Sequence, residues 1–142
     1  MKKFISAAAV TISLGLSSFA YAQELDLDAL LADLSAACGN QPAQCDQFTA
    51  DAMRTLQAAG LSEDALNQSI GAMIATITVV ANSLPPGQKK QIANDVNVAS
   101  GGFQGNGPAV QAQINAANGI NTALANGGNV DNSVFSQLGS GN

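Results

Sequence analysis

The sequence predicts an all-α fold: a small bundle of about four helices, followed by a Gly/Asn-rich C-terminal tail with a weak fifth helix. Apolar residues recur at steps of three and four through most of residues 25–100, which is the spacing of one helix face. Acidic or capping residues stand where these stripes begin, and Gly or Pro stands where they end. The chain has 142 residues, enough for one domain with a modest core.

The N-terminus is predicted to be a secretory signal peptide, residues 1–22. Two lysines precede an uncharged apolar run, and Ala20-Tyr21-Ala22 supplies the small residues that signal peptidase accepts. We therefore expect cleavage between Ala22 and Gln23 and a periplasmic or secreted protein. A buried core helix is the alternative, but this stretch has no polar face. Because the apolar run is shorter than the ~20 residues that span a bilayer, we expect no stable membrane insertion.

The first two helices are predicted over about Leu25–Ala37 and Pro42–Ala59. Carboxylates crowd the start of the first helix, where the helix dipole favours negative charge. Proline suits the first turn of the second helix, and Gly60 is placed to stop it. The predicted apolar faces are Leu27, Leu30, Leu31, Leu34 and Ala37 in the first helix and Phe48, Ala52, Met53 and Leu56 in the second.

Cys38 and Cys45 are the two cysteines of the chain, and we expect them to form a structural disulfide. An even cysteine count in an exported protein favours a bridge. A redox pair usually has the Cys-x-x-Cys spacing, and a metal site would need further ligands although the chain has no His. The bridge would join two helices at the corner of a helical hairpin.

The third and fourth helices are predicted from Ser62 to Leu84 and from Gly87 to Ala99. Ser62 is the expected N-cap of the third helix, and the residues after it step by four and three in a long apolar seam without charge. We expect this to be the most buried helix. The seam residues of the third helix are Leu66, Ile70, Met73, Ile77, Val80 and Leu84.

In the fourth helix, Lys89 and Lys90 are predicted to lie at an exposed start.

The composition changes after Ser100, and we predict a division there into a helical domain, residues 23–100, and a low-complexity tail, residues 101–142. The tail is rich in Gly, Asn and Gln and has one charge, Asp131. A helix is predicted over Pro108–Ala125, with Val110, Ile114, Ala117, Asn121 and Leu124 on one face. Because few of these residues are strongly apolar, we expect the tail to be less protected than the core, with intermediate protection if this helix docks on the core through Val110, Ile114 and Leu124.

The chain ends in a segment that resembles a known repeat. Residues Gln137 to Asn142 match the Gln-x-Gly-x-Gly-Asn part of a curlin repeat, the amyloid unit of bacterial curli. Asp131 stands where the repeat has a serine six positions before its glutamine, and no second repeat is present. The resemblance covers six residues only, so we do not assign the chain to that family.

The charge balance excludes nucleic acid as a partner. After loss of Lys2 and Lys3 with the signal, three basic residues remain against ten acidic ones, so the mature net charge is −7. Nucleic-acid binders need cations that displace counterions from phosphates. The absence of His also removes the usual general base near neutral pH and the commonest metal ligand. We therefore expect a protein that is not an enzyme.

Other candidate sites have simpler structural interpretations. Asp26, Asp28 and Asp33 do not alternate around a glycine turn as calcium-loop ligands do, so a solvated helix face is favoured. Asp46 with Asp51, and Glu63 with Asp64, are interpreted as acidic residues near helix starts rather than catalytic pairs. We expect no catalytic, metal or cofactor site.

Two function classes remain open. The first is a structural or protein-interaction protein, associated with the cell surface or a matrix through its uncharged tail, with an unknown protein partner or by self-association. The second is a helical module that binds a small apolar ligand between helices near Phe48, Met53 and Met73. The first is favoured because the mature chain has only three aromatic residues.

Overall fold

A computed structural model describes residues 25–139 and shows an all-α fold, as predicted. These residues form six α-helices and two 3₁₀ turns and include no strand. The signal peptide and its cleavage site between Ala22 and Gln23 lie outside the described residues, as does the end of the curlin-like segment. The helices are α1 Leu27–Asn40, α2 Cys45–Ala58, α3 Glu63–Asn82, α4 Pro86–Ser100, α5 Pro108–Ala125 and α6 Phe135–Gly139; the 3₁₀ turns are Pro42–Gln44 and Asn132–Val134.

Helix starts follow local capping chemistry. The side chain of Asp26 accepts a hydrogen bond from the Ala29 amide at the start of α1 (3.0 Å). Ser62 does the same for Ala65 at the start of α3 (3.2 Å), which confirms it as the N-cap. Prolines occupy the first positions of α4 and α5, where an amide hydrogen is not needed within the helix. These residues determine where the bundle's helices begin.

Helix α3 is the central element and contacts α1, α2, α4, α5 and α6. Ile70, Met73, Ile74 and Ile77 on this helix are fully buried. It is also long and apolar enough in composition to cross a membrane, but just over half of that stretch lies inside the bundle. Packing in the core therefore accounts for its apolar sequence, as expected for the most buried helix.

The segment after Ser100 is folded against the rest of the chain as far as Gly139. Helix α5 packs extensively on α4, and α6 packs on both α3 and α5. Ile120, Leu124 and Leu138 are buried in the same core cluster as the residues of α3. Residues 101–139 thus bury more apolar surface than their composition suggested, and Val110 and Leu124 are buried as expected for a helix docked on the core.

Helix α5 has the predicted bounds, and three of its five predicted face residues, Val110, Ala117 and Leu124, are buried. Ile114 and Asn121 are only partly buried, whereas Gln113 and Ile120 are buried. Ala116 is buried as well. Small side chains let neighbouring helices approach closely, so a face containing alanine can pack well without being strongly apolar.

Two asparagines of α3 hold the main chain of the C-terminal segment. Asn67 donates to the carbonyl oxygen of Gln104 (2.9 Å) and accepts from its amide (2.8 Å). Asn82 binds Val130 in the same two-way manner, at 3.1 and 2.9 Å. Each asparagine satisfies both main-chain polar groups of its partner residue. These contacts fasten the loops on either side of α5 to the central helix.

Candidate functional site

The disulfide holds the hairpin of α1 and α2. Cys38, in the last turn of α1, is bonded to Cys45, the first residue of α2, with their Cα atoms 4.5 Å apart. Both cysteines are fully buried. The predicted bridge is therefore formed at the helical corner. It fixes the end of α1 against the start of α2.

The leucine face of α1 is only partly covered. Leu34 is buried, whereas Leu27, Leu30 and Leu31 remain partly exposed although they pack against the core. Helix α1 contacts α2 and α3. One side of its apolar stripe therefore faces solvent beside α2.

A groove with a volume of about 290 Å³ lies between α1 and α2. Leu34 and Ala52 are buried and form its floor, while Leu30 and Phe48 are partly buried at its sides. The apolar lining residues, contributed by both helices, are Leu30, Leu34, Ala37, Phe48 and Ala52. We refer to this feature as the hairpin groove.

The rim of the hairpin groove is acidic. Asp33 and Asp51 are exposed and line it from opposite helices, and no basic residue is among the lining side chains. Arg54 forms an exposed salt bridge with Asp51, and such surface pairs stabilise little. Thr55 donates its hydroxyl to the main-chain oxygen of Asp51 (3.0 Å). The groove therefore combines an apolar floor with carboxylates at its edges.

A second pocket, of about 230 Å³, lies where the first 3₁₀ turn and the start of α2 meet α4. Its most unusual side chain is Asp95, which is 2% exposed and whose Oδ2 has no hydrogen-bond partner. Burial, and then the negative charge of Asp46, raise the pKa of Asp95 to about 7. The pocket is lined by Pro42, Ala43, Asp46, Gln91, Asn94 and Asp95. We call it the Asp95 pocket.

Asp95 was missed in the sequence, where it is one charged residue in a predicted helix. The available signal was its spacing, since it stands three residues after Ile92 and four before Ala99, both buried on α4. Lys89 also differs from its expected exposed position. It is 7% exposed, and its ammonium donates to the side-chain oxygen of Asn129, because the C-terminal segment folds over the start of α4.

The other candidate residues are placed as follows. Asp26 serves as a helix cap, and Asp46 lies in the first turn of α2 at the edge of the Asp95 pocket. Met53 and Met73 are buried core residues, so of the three residues expected near a ligand only Phe48 lines the hairpin groove. Within residues 25–139, no group of three or more His, Cys, Asp or Glu side chains is arranged to hold a metal ion.

Comparison of the chain with protein-family models, with curated proteins and with solved structures found no match. The chemistry of the groove and of the pocket is therefore the evidence for function.

Proposed function

We propose that this protein is an exported protein-interaction module whose hairpin groove binds an apolar, positively charged helical segment of a partner protein. The observation that supports this most directly is the open apolar groove between two helices joined by a disulfide. The disulfide also agrees with an oxidising compartment outside the cytoplasm.

The shape of the hairpin groove favours a helical ligand. Amphipathic helices bind grooves of this kind by inserting apolar side chains at positions i, i+3, i+4 and i+7. Leu30 and Phe48 are partly exposed on opposite sides, so they can cover such side chains from two directions. The disulfide holds the two helices in place before binding, which lowers the entropic cost of association.

Charge selects between possible partners. Asp33 edges the groove opposite Asp51, which is paired with Arg54, and the mature chain carries a net charge of −7. Lysine or arginine flanking the apolar side chains of a partner would meet Asp33 and the overall negative charge, which favours encounter and orientation. A second copy of this acidic protein would instead bring like charges together. Self-association is therefore the less favoured form of interaction.

A small apolar ligand in the same groove is the second candidate, supported by the apolar side chains of Leu30 and Phe48. Small-molecule pockets typically enclose about 300–1,000 Å³ and bury most of their ligand. The groove lies just below that range at about 290 Å³ and is open to solvent. The tail supports association less than the groove does, because its residues up to Gly139 are folded into the bundle.

Two matched helical peptides test the proposal. Both present leucine at i, i+3, i+4 and i+7; one has flanking lysines and the other has flanking glutamates. In NMR titrations with ¹⁵N-labelled mature protein, we expect the lysine peptide to bind and to shift amide signals of α1 and α2. Leu30→Asp should abolish this binding, whereas Val79→Asp, at an apolar side chain that is 55% exposed on α3, should leave it intact.

A charge-reversal variant separates charge-dependent selection of the partner from non-specific apolar binding. Asp33→Lys should weaken binding of the lysine peptide and strengthen binding of the glutamate peptide. Equal binding of the two peptides to the unmodified protein would contradict the charge argument. Failure of both peptides, with saturable binding of a small hydrophobic dye that Leu30→Asp removes, would support the small-ligand function instead.

A further inference from the structure

We propose that Asp46 and Asp95 bind a calcium ion in the Asp95 pocket, with side-chain amide oxygens of Gln91 and Asn94 as further ligands. This pocket is distinct from the hairpin groove, so the proposal does not depend on the function assigned to that groove. It is also distinct from Asp26, Asp28 and Asp33, which the sequence pattern excluded as a calcium loop.

The first support is a carboxylate oxygen that has no partner. Asp95 is 2% exposed, and its Oδ2 forms no hydrogen bond with the protein. An unpaired polar atom in such a position costs free energy, and a charged one costs more. Because Asp95 lines the pocket, a cation bound there would lie beside this carboxylate and offset the cost of its burial.

The second support is the sign of the charge around Asp95. Asp46 lines the same pocket and carries the same charge, and no basic side chain is among the lining residues. The basic residues of the mature chain have other positions. Arg54 pairs with Asp51, and Lys89 bonds to Asn129, while Lys90 is exposed. Two carboxylates thus line one pocket without a basic side chain, and a divalent cation bound there would balance their charge.

The donor set selects a hard cation. Carboxylate and amide oxygens suit Ca²⁺, which takes six to eight oxygen ligands and tolerates irregular geometry. Zn²⁺ is disfavoured because the chain has no His and both cysteines are in the disulfide. A water molecule occupies about 30 Å³ in the liquid, so a pocket of about 230 Å³ has room for the ion and several waters that complete its shell.

The ion would join two parts of the chain that are distant in sequence. Asp46 belongs to the first turn of α2, directly after Cys45, and Asp95 lies in α4. A ligand that binds only the folded state stabilises it by mass action. Calcium would therefore reinforce the contact between the disulfide corner and α4.

Calorimetric titration of the mature, disulfide-intact protein with CaCl₂ tests this site directly, at a pH of about 8 after removal of metal ions. We expect a dissociation constant on the order of 10⁻⁴–10⁻³ M, as in other extracellular calcium sites. In parallel, about 10 mM CaCl₂ should raise the melting temperature by several degrees. MgCl₂ should have a smaller effect, because Mg²⁺ demands a stricter octahedral geometry.

Variants identify the ligands. Asp95→Asn and Asp46→Asn should each weaken calcium binding at least about tenfold, while Asp28→Asn, at an exposed acid outside the pocket, should not. The readout is the calcium-induced change, because Asp95→Asn also alters the stability of the metal-free protein. If Asp95→Asn does not fold, exposed Asp46 still provides the test. Absence of calcium binding to the unmodified protein, or unchanged binding by Asp46→Asn, would overturn the proposal.

Discussion

The side-chain amide of Gln113 donates a hydrogen bond to the main-chain carbonyl oxygen of Leu138, at 2.7 Å, in the fully buried interior. The bond joins α5 to α6. The same carbonyl oxygen lies against α3, where a Cβ atom built on Gly71 would overlap it. Three helices therefore meet at Leu138 without space for another methyl group, which makes the C-terminal helix a part of the core.

Gly71→Ala tests this close approach. The added methyl group would overlap the carbonyl oxygen of Leu138 and would also lie 2.9 Å from its carbonyl carbon, so the main chain of α6 must move. We expect a loss of about 1–3 kcal/mol in the free energy of unfolding, measured by urea denaturation. An unchanged or higher stability would contradict the observed approach of α6 to α3.

Gly119→Ala is the matched control for that substitution. Gly119 lies within α5, and a Cβ atom there would meet nothing within 4 Å. Since alanine favours a helix over glycine by about 0.8–1.0 kcal/mol, we expect this variant to be more stable than the unmodified protein. Opposite signs for the two Gly→Ala substitutions would show that contact with Leu138, rather than the substitution itself, decides the outcome.

Leu138→Ala measures how much the C-terminal segment contributes to the fold. Because Leu138 is fully buried, we expect its truncation to cost about 2–5 kcal/mol and to expose the whole chain to proteolysis, not only residues 101–142. Val79→Ala, at a largely exposed side chain, should change stability by no more than about 0.5 kcal/mol. If Leu138→Ala cost as little as Val79→Ala, the segment would be an appendage to an independent domain.

The disulfide should stabilise the hairpin modestly. The loop between Cys38 and Cys45 is short, so its closure removes little chain entropy from the unfolded state. Replacing both cysteines with alanine should lower the free energy of unfolding by about 2.5 kcal/mol or less. Iodoacetamide should label neither cysteine in the native protein without a reductant. Rapid labelling under those conditions would contradict the bridge.

Asp95 should make stability depend on pH in the absence of divalent cations. Burial and then Asp46 raise its pKa from 3.8 to about 7, so the folded state holds a proton between these values that the unfolded state has released. Protonation of Asp95 therefore favours the folded state fully below about pH 4. This stabilisation declines as the pH rises towards about 7, and the free energy of unfolding no longer depends on Asp95 above that.

Urea denaturation from about pH 4 to pH 8 measures this dependence. The difference in stability between Asp95→Asn and the unmodified protein should grow in favour of the variant as the pH rises through that window, because the amide does not ionise. Asp28→Asn should follow the unmodified protein. Parallel pH profiles for Asp95→Asn and the unmodified protein would show that Asp95 does not titrate in this range.

Local patterns predicted the elements well where the signal was strong. Ser62 caps α3 as expected, and the uncharged apolar seam of that helix is the centre of the bundle. The hairpin followed from Cys38 and Cys45 together with the intervening Gly and Pro. Each of these features depends on residues close together in the sequence, and hence on helix periodicity, capping and short-loop chemistry.

The position of Lys89 is the feature that the sequence predicted wrongly, because its partner Asn129 is distant in sequence. The bounds of α5 follow from its sequence, but the depth of its burial depends on alanines and on Gln113, which carry little local signal. Low apolar content is a poor guide to packing where small residues allow close contact and asparagine side chains, such as those of Asn67 and Asn82, bind main-chain groups of distant loops.

The sequence by itself determined the helical class, the main helices and the cysteine pair, because 3.6-residue periodicity and local capping depend on residues that are close together in the sequence. Only the tertiary structure decided that the C-terminal segment completes the core, that the α1 leucines border an acidic-rimmed groove, and that Asp95 and Asp46 line the same pocket. Those relationships join residues from different helices, and the burial of a side chain is set by the elements that pack over it.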